Sequence, residues 1–305
     1  MSGGVITTGS FGKLLWPGLN TVFGMTYDEV PAQYSKVFEV KKSGMAFEEV
    51  LGTTGFGLAP VKPEGDSIIF DAARQGFISR YPMTTYAMGF IITYEMMQDN
   101  QYKTKGFDMA RDLAMSMRQT REIVAFNVLN RAFNGSYPYS SANYQLIGGA
   151  QPNYAGGTFS NTLATPSDLS EAALEQAVID MSLYTNDRGL RIAVRPDKLI
   201  IPPQLQFEAR RILKSVNRVG TDNNDINALN SMNMFSDIIV TPWLTDPDAW
   251  FITTTVKNGL TFFERQADTF ESDNDFDTKN AKFSAMGRYA VGASDPRGIY
   301  GSQGA

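Results

Sequence analysis

Six glycines and prolines crowd into fourteen positions of this chain: Gly52, Gly55, Gly57, Pro60, Pro63 and Gly65. No regular helix survives that density, because glycine loses backbone entropy and proline lacks a donor N–H. The stretch that follows carries Ile68-Ile69-Phe70, Phe77-Ile78-Ser79 and a β-rich run over residues 86–94. Between them, Asp71-Ala72-Ala73-Arg74-Gln75-Gly76 reads as a turn closed by glycine. An extended two-stranded excursion over residues 46–102 is expected. Such a ribbon is marginal alone and needs a layer to pack on; a neighbouring copy of the chain would supply it. No Gly-Lys-Ser/Thr follows the glycines, so they read as turn chemistry and not as a phosphate cradle.

The clearest helix signal comes next. Phe107, Ala110, Ala114, Met117, Val124 and Val128 recur at three- and four-residue spacing, Leu113, Leu129 and Phe133 widen the face, and Arg121 interrupts the series. The helix is expected from about Thr104 to Asn134-Gly135, a good stop signal. Roughly thirty residues at ~1.5 Å each make a spine of ~45 Å.

Upstream, Phe11, Leu14, Leu15, Leu19, Val22 and Phe23 have roughly helical spacing, but Trp16-Pro17-Gly18 is expected to break any continuous helix. Two readings stand: a helix–turn on the chain's own core, or an arm whose apolar side covers a neighbour. Val37, Phe38 and Val40 read as a short strand. Downstream, residues 135–166 form a loop or small hairpin insertion, with Gly148-Gly149 and Gly156-Gly157. Pro166-Ser167-Asp168 opens a helix over 169–184 with Glu171 in its first turn. Strands are expected at 190–194, Lys198-Leu199-Ile200-Ile201, Ile238-Ile239-Val240 and Trp250-Phe251-Ile252-Thr253, with a short helix over 204–215 and strand again over 259–300. Helices alternating with strands give an α+β class.

Composition narrows the chemistry. The 305 residues include no cysteine and no histidine. Disulfides, thiolate nucleophiles and Ser-His-Asp machinery are therefore excluded, and a structural rather than enzymatic role is expected. Charged residues are only 19% while glycines number 27, which suits a surface largely covered by neighbours. No apolar run approaches the ~18 residues of a spanning helix, the run over residues 87–92 being broken by Gly89. Met1-Ser2-Gly3-Gly4 lacks the basic and apolar regions of a secretory signal. A soluble protein made inside the cell, with no membrane partner, is expected. The net charge of −5 disfavours a tight grip on nucleic acid, which needs a basic surface.

Two clusters invite functional readings. Asp268, Glu271, Asp273, Asp275 and Asp277 suggest a calcium loop, but Thr278 and Ser284 stand where an EF-hand needs Gly and Glu. A solvated hairpin is favoured over that loop and over a glycosidase carboxylate pair. Arg210, Arg211, Lys214 and Arg218 read as a helix C-terminus satisfying its dipole, or as a basic lining where subunits meet. Neither metal nor cofactor is expected.

Several strings, taken in order, resemble tailed-phage major capsid proteins of the HK97 fold, with the nearest echo in the Mu-like major head subunit group. They are Leu15-Trp16-Pro17-Gly18-Leu19-Asn20 with Phe23-Gly24, Phe47-Glu48-Glu49 with Gly55-Phe56-Gly57, Glu64-Gly65, Gly89-Phe90 with Thr93-Tyr94-Glu95, and Asp99-Asn100. The resemblance implies an N-arm at 1–45, an E-loop at 46–102 and a P-domain at 103–167 with the spine helix and a loop insertion. An A-domain at 168–260 and P-domain return strands at 261–305 would follow. It also implies self-assembly into hexamers and pentamers around packaged double-stranded DNA, without sequence-specific binding, in a virion assembled in the host cytoplasm. A separate scaffolding protein, a portal and a decoration protein are the implied partners. Trp16, Phe23, Phe56, Lys62, Arg210 and Arg211 are the candidate inter-subunit residues. An encapsulin-type compartment, enclosing protein instead of DNA, is the alternative within the same fold.

Overall fold

The computed structural model describes residues 12–29, 31–98, 102–141, 143–217, 225–275 and 277–305. Helices α1 (Gly12–Glu29) and α2 (Tyr34–Val37) lead into strand β1 (Glu39–Lys42). Strands β2 (Phe47–Thr53) and β3 (Gln75–Pro82) form a ribbon, and β4 (Thr84–Ile92) follows after one residue. Helix α3 (Tyr94–Gln98) precedes the 29-residue spine, α4 (Tyr102–Asn130). A small ribbon of β5 (Gln151–Pro152) and β6 (Thr158–Phe159) comes before α5 (Glu171–Ser182), β7 (Pro196–Ile201), α6 (Gln206–Lys214) and α7 (Ala228–Ser231). Strands β8 (Asp237–Val240), β9 (Trp250–Thr254), β10 (Leu260–Asn274), β11 (Ala281–Ala293) and β12 (Ile299–Ser302) complete the chain.

Two four-stranded sheets carry the structure. The first runs β1-β10-β11-β4, with β1 parallel to β10 and the rest antiparallel; the second runs β12-β9-β7-β8, with β7 parallel to β8. The three–four spacing of the spine becomes a packed face. Ala110, Leu113, Ala114 and Met117 meet Leu19 and Phe23 of α1 and Phe270, Phe283 and Ala285 of β10 and β11. About two turns further on, Ala125, Phe126 and Leu129 meet Phe262, Tyr289, Phe251 and Ile299, joining both sheets to one helix. A separate core places α5 and α6 on the second sheet, where Leu174, Met181 and Leu213 contact Leu199, Ile201, Trp250 and Tyr300. Helix α5 begins one residue after Ser170, whose Oγ accepts the Ala173 N–H at 3.2 Å, so the cap is Ser170 and not Ser167-Asp168.

Several sequence expectations are corrected. Helix α1 runs through Trp16-Pro17-Gly18 without a break. Pro17 removes one internal hydrogen bond at a cost of about 3 kcal/mol, while burial of Leu19 and Phe23, 2% and 5% exposed, returns about 3–6 kcal/mol. Val37 ends α2, Phe38 is its cap, and the strand begins at Glu39. The spine ends at Asn130 and a turn over 131–133 precedes Asn134-Gly135. Ile68-Ile69-Phe70 is in no strand, residues 71–74 form no turn, and Gly76 lies inside β3. Residues 190–194 contribute only one bridge, Thr185 to Arg191. The β-rich run near 86–94 pairs with β11, so only β2, β3 and the 54–74 segment project as an excursion. The return strands at 261–305 also divide, because β12 pairs with β9.

Candidate functional site

Residues 54–74 extend beyond the β2–β3 ribbon with no regular structure except a turn at Glu64-Gly65. Their apolar side chains lie in solvent: Val61 and Phe70 are each 92% exposed and Phe56 66%. Lys62 is exposed beside them. Contiguous apolar exposure of this kind marks an interaction surface. The two limbs are tied together near the ribbon: the Thr54 N–H donates to Arg74 O at 3.0 Å, and the Arg74 N–H returns to Thr54 Oγ1 at 2.8 Å. Further out, the Gly57 N–H donates to Asp71 Oδ2 at 2.9 Å and holds that carboxyl below the usual carboxylate range.

The body of the protein grips this projection and its ribbon at several places, among them a pair of hydrogen bonds exchanged by Ser141 and Ile78. Arg188 reaches from the loop after α5, donating to Ala72 O at 2.7 Å and lying 3.3 Å from Asp71 Oδ1. Tyr154, between β5 and β6, lays its ring against Gly52 and Gly76; a Cβ at Gly52 would lie 2.2 Å from its hydroxyl, and one at Gly76 2.5 Å from its ring. These glycines therefore serve close approach, where the sequence suggested turns. Burial pushes the Tyr154 hydroxyl pKa up to about 12. At the ribbon's root, Tyr81 and Ser294 hydroxyls share a 2.6 Å hydrogen bond, and Tyr81 packs with Met83, Phe263 and Ala290.

Buried Arg297 fixes the loops that carry these contacts. Its Nη2 donates to Asp187 Oδ1 at 2.9 Å and to Asn153 Oδ1 at 2.6 Å, and its Nε donates to Thr185 O at 3.0 Å. The Tyr154 N–H donates to the same Asp187 oxygen at 3.2 Å. Ion pair, loop and ribbon thus form one connected set.

A second buried set lies under the spine. Arg121 Nε is 2.9 Å from Asp268 Oδ2, and Nη1 donates to Glu264 Oε1 at 2.7 Å. The Tyr27 hydroxyl donates to Asp268 Oδ2 at 2.7 Å, linking α1 to β10. Burial raises the Tyr27 pKa well above the usual range, which the Arg121 charge offsets only in part. Arg121, which interrupts the apolar spacing of the helix, and Asp268, expected in a solvated hairpin, are both core residues. The acidic residues beyond Asp268 do occupy the β10–β11 hairpin end, where Glu271, Asp273 and Asp277 are exposed. Among the described residues no cluster is arranged to hold a metal ion.

A cavity of about 820 Å³ opens between the β5–β6 ribbon and α5, walled by Phe133, Ile147, Phe159, Leu163 and Tyr184. Asp180 is the one carboxylate among its described lining residues, and it accepts hydrogen bonds from Tyr300 at 2.8 Å and Gln176 at 2.7 Å. A glycosidase pair is not assembled there.

The other candidate residues are dispersed. Phe23 is buried within its own chain, stacking on Phe270 at 4.9 Å, and presents no surface to a neighbour. The Trp16, Leu14 and Leu15 side chains, all of Phe11, and Arg218 lie outside the described residues. Arg210 and Arg211 are exposed on α6, far from the ribbon in sequence and grouped with exposed Phe207 and Lys214 on that helix. Phe56 and Lys62 alone are brought together on the projection.

A long spine helix across two sheets, with a tethered apolar ribbon projecting from them, defines the HK97-like capsid architecture. Solved structures share it. The virus-like particle from Pyrococcus furiosus is 13% identical, with 93% of this chain covering 97% of that one at a TM-score of 0.58. A structure from Mycobacterium phage Patience is 10% identical over 97% of this chain and 88% of that one, TM-score 0.52. The capsid of a native GTA particle is 12% identical over 89% and 90%, TM-score 0.54. No curated protein sequence gives a significant match. The family model described as phage capsid protein matches residues 78–302, and this chain belongs to the phage capsid protein family. Its role is structural: it is a major capsid protein, a subunit of a bacteriophage head.

Proposed function

We propose that copies of this chain assemble as hexamers and pentamers into an icosahedral head enclosing phage double-stranded DNA. The apolar exposure of residues 54–74 supports this reading most strongly, because a solitary subunit would gain nothing from holding Phe56, Val61 and Phe70 in water. In these terms residues 1–45 are the N-arm, the E-loop lies within 46–102, and 103–167 with 261–305 supply the P-domain. Residues 168–260 are the A-domain, to which the pairing of β12 adds a strand. Exposed Arg210 and Arg211 line the ring axis; Trp16, Phe56 and Lys62 meet neighbouring copies. Many modest contacts, repeated around a closed shell, give collective strength.

A net charge of −5 keeps DNA from adhering, so it slides during packaging and leaves on ejection. Assembly takes place in the host cytoplasm with a separate scaffolding protein, and the virion adds a portal and a decoration protein. The test is the content of shells purified from phage-producing cells. Nuclease-protected double-stranded DNA is expected; shells filled with folded protein and free of DNA would favour the compartment role instead.

A further inference from the structure

Strand β4 is the outer strand of its sheet, and its free edge pairs with no strand among the described residues. Edge strands are normally guarded by charge, proline or a bulge, since their open N–H and C=O groups template pairing with another chain. β4 has no such guard. Thr84-Thr85-Tyr86-Ala87-Met88-Gly89-Phe90-Ile91-Ile92 contains no charged residue and no proline, and its register with β11 is unbroken. The edge is also open: Met88 and Ile91 are each 54% exposed, and exposed Gly89 has only backbone to show.

The chain contains a second unpaired segment of matching character. Residues 66–74 equal β4 in length, at nine residues. Within them Ser67-Ile68-Ile69-Phe70 is uncharged, has no strand partner among the described residues, and leaves Ile68 65%, Ile69 69% and Phe70 92% exposed. Contacts hold this limb at Asp66, through Pro63, and from Asp71 onward, through Asp71 to Gly57 and Arg188, Ala72 to Arg188 and Arg74 to Thr54, and leave Ser67-Ile68-Ile69-Phe70 between them. An apolar, β-branched, extended backbone is the partner that an unguarded edge accepts.

We infer that residues 66–74 of a second copy add a fifth strand to the outer edge of β4. The inference rests on the self-assembly reading above and assigns the contact that makes it. The eight residues of β3 carry a copy's own limb about 26 Å from the start of its β4, so the limb serves a neighbour. The two surfaces differ, so the contact is head-to-tail, and repeated rotation closes it into a ring. Main-chain hydrogen bonds along the edge give strength, and the exposed side chains of both segments set the register.

The absence of cysteine makes a disulfide test clean. Ile69→Cys is combined in turn with Thr85→Cys, Ala87→Cys, Met88→Cys and Ile91→Cys, and the assembled shells are oxidised and run without reductant. At least one pair is expected to give a ladder of covalent oligomers extending past the dimer, absent from each single variant. Shells that form normally while all four pairs stay monomeric overturn the strand addition and leave the capsid reading intact. Failure of the unsubstituted chain to form any shell or capsomer overturns both. Ile91→Lys gives the second readout: the subunit stays folded by circular dichroism and loses assembly, whereas unchanged assembly counts against the inference.

Discussion

Arg121 on the spine helix holds Asp268 of β10 out of water: Nε lies 2.9 Å from Oδ2, and the two side chains are 4% and 0% exposed. The pair joins α4 to the first sheet, and Tyr27 ties α1 to the same carboxylate. Removing Arg121 strands the buried Asp268 charge, and removing Asp268 leaves buried Arg121 with Glu264 as its remaining ion-pair partner. Arg121→Met or Asp268→Asn is expected to destabilise the subunit by about 3–5 kcal/mol in a denaturant titration. The double variant Arg121→Met with Asp268→Asn recovers part of that loss, and strict additivity of the single effects would refute the coupling.

Gly287 faces this carboxylate closely enough that a Cβ would lie 1.8 Å from Asp268 Oδ1. Gly287→Ala therefore drives the carboxylate away from Arg121 and is expected to cost about 1–3 kcal/mol. Its effect shrinks in an Asp268→Ala background, measured by the same titration. An equal cost in both backgrounds would separate the glycine from the ion pair.

Tyr154 and Gly76 form a comparable pair at the ribbon. Gly76→Ala places a Cβ 2.5 Å from the Tyr154 ring and is expected to loosen β2 and β3, seen as faster amide exchange over residues 47–82. Tyr154→Ala restores room, so the double variant exchanges more slowly than Gly76→Ala alone. Faster exchange in the double variant would show that Tyr154 supports the ribbon more than it restricts residue 76.

Trypsin reports on the projection. Lys62 and Arg74 lie in the irregular, exposed 54–74 segment, where the chain can enter a protease site. Pro63 blocks trypsin after Lys62, so free subunits are expected to be cut first at exposed Arg74, and assembled shells to resist. Equal cleavage rates in both states would mean that the segment stays uncovered on assembly.

Stability is also expected to fall in alkali. Burial raises the pKa of Tyr184, Tyr289 and Tyr300 above the ordinary tyrosine range. As pH rises past about 10, the unfolded chain loses these protons before the folded one, so the folded state binds more protons and loses stability. The slope is about 1.4 kcal/mol per pH unit for each such group. Urea midpoints that drop between about pH 9 and 11, with tyrosinate absorbance appearing at unfolding, fit this account. Midpoints that rise over the same interval contradict it.

The sequence was most legible where a pattern was local. The spacing of Ala110, Ala114 and Met117 located the spine, and the glycines and prolines from Gly52 to Gly65 located the irregular excursion. Sequence-distant pairing was not legible. Nothing in residues 39–42 shows that β1 will lie parallel to β10, more than two hundred residues later, or that β12 will leave β10 and β11 for β9. Arg121 looked like a flaw in an apolar face because its compensating carboxylates, Glu264 and Asp268, sit on a strand far along the chain. Phe23 looked equally suited to a neighbour or to its own core, and the choice depended on Phe270. The irregular backbone around Phe56 and Lys62 was legible for the opposite reason: Gly55, Gly57, Pro60 and Pro63 disrupt regular structure locally.

The central claim is that this chain builds shells. Size-exclusion chromatography of the purified protein, followed by negative-stain electron microscopy of each fraction, tests it most directly. The account predicts uniform shells, or rings and capsomers of several copies. A persistent monomer of ~34 kDa, unchanged by salt or by candidate scaffolding protein, would contradict it.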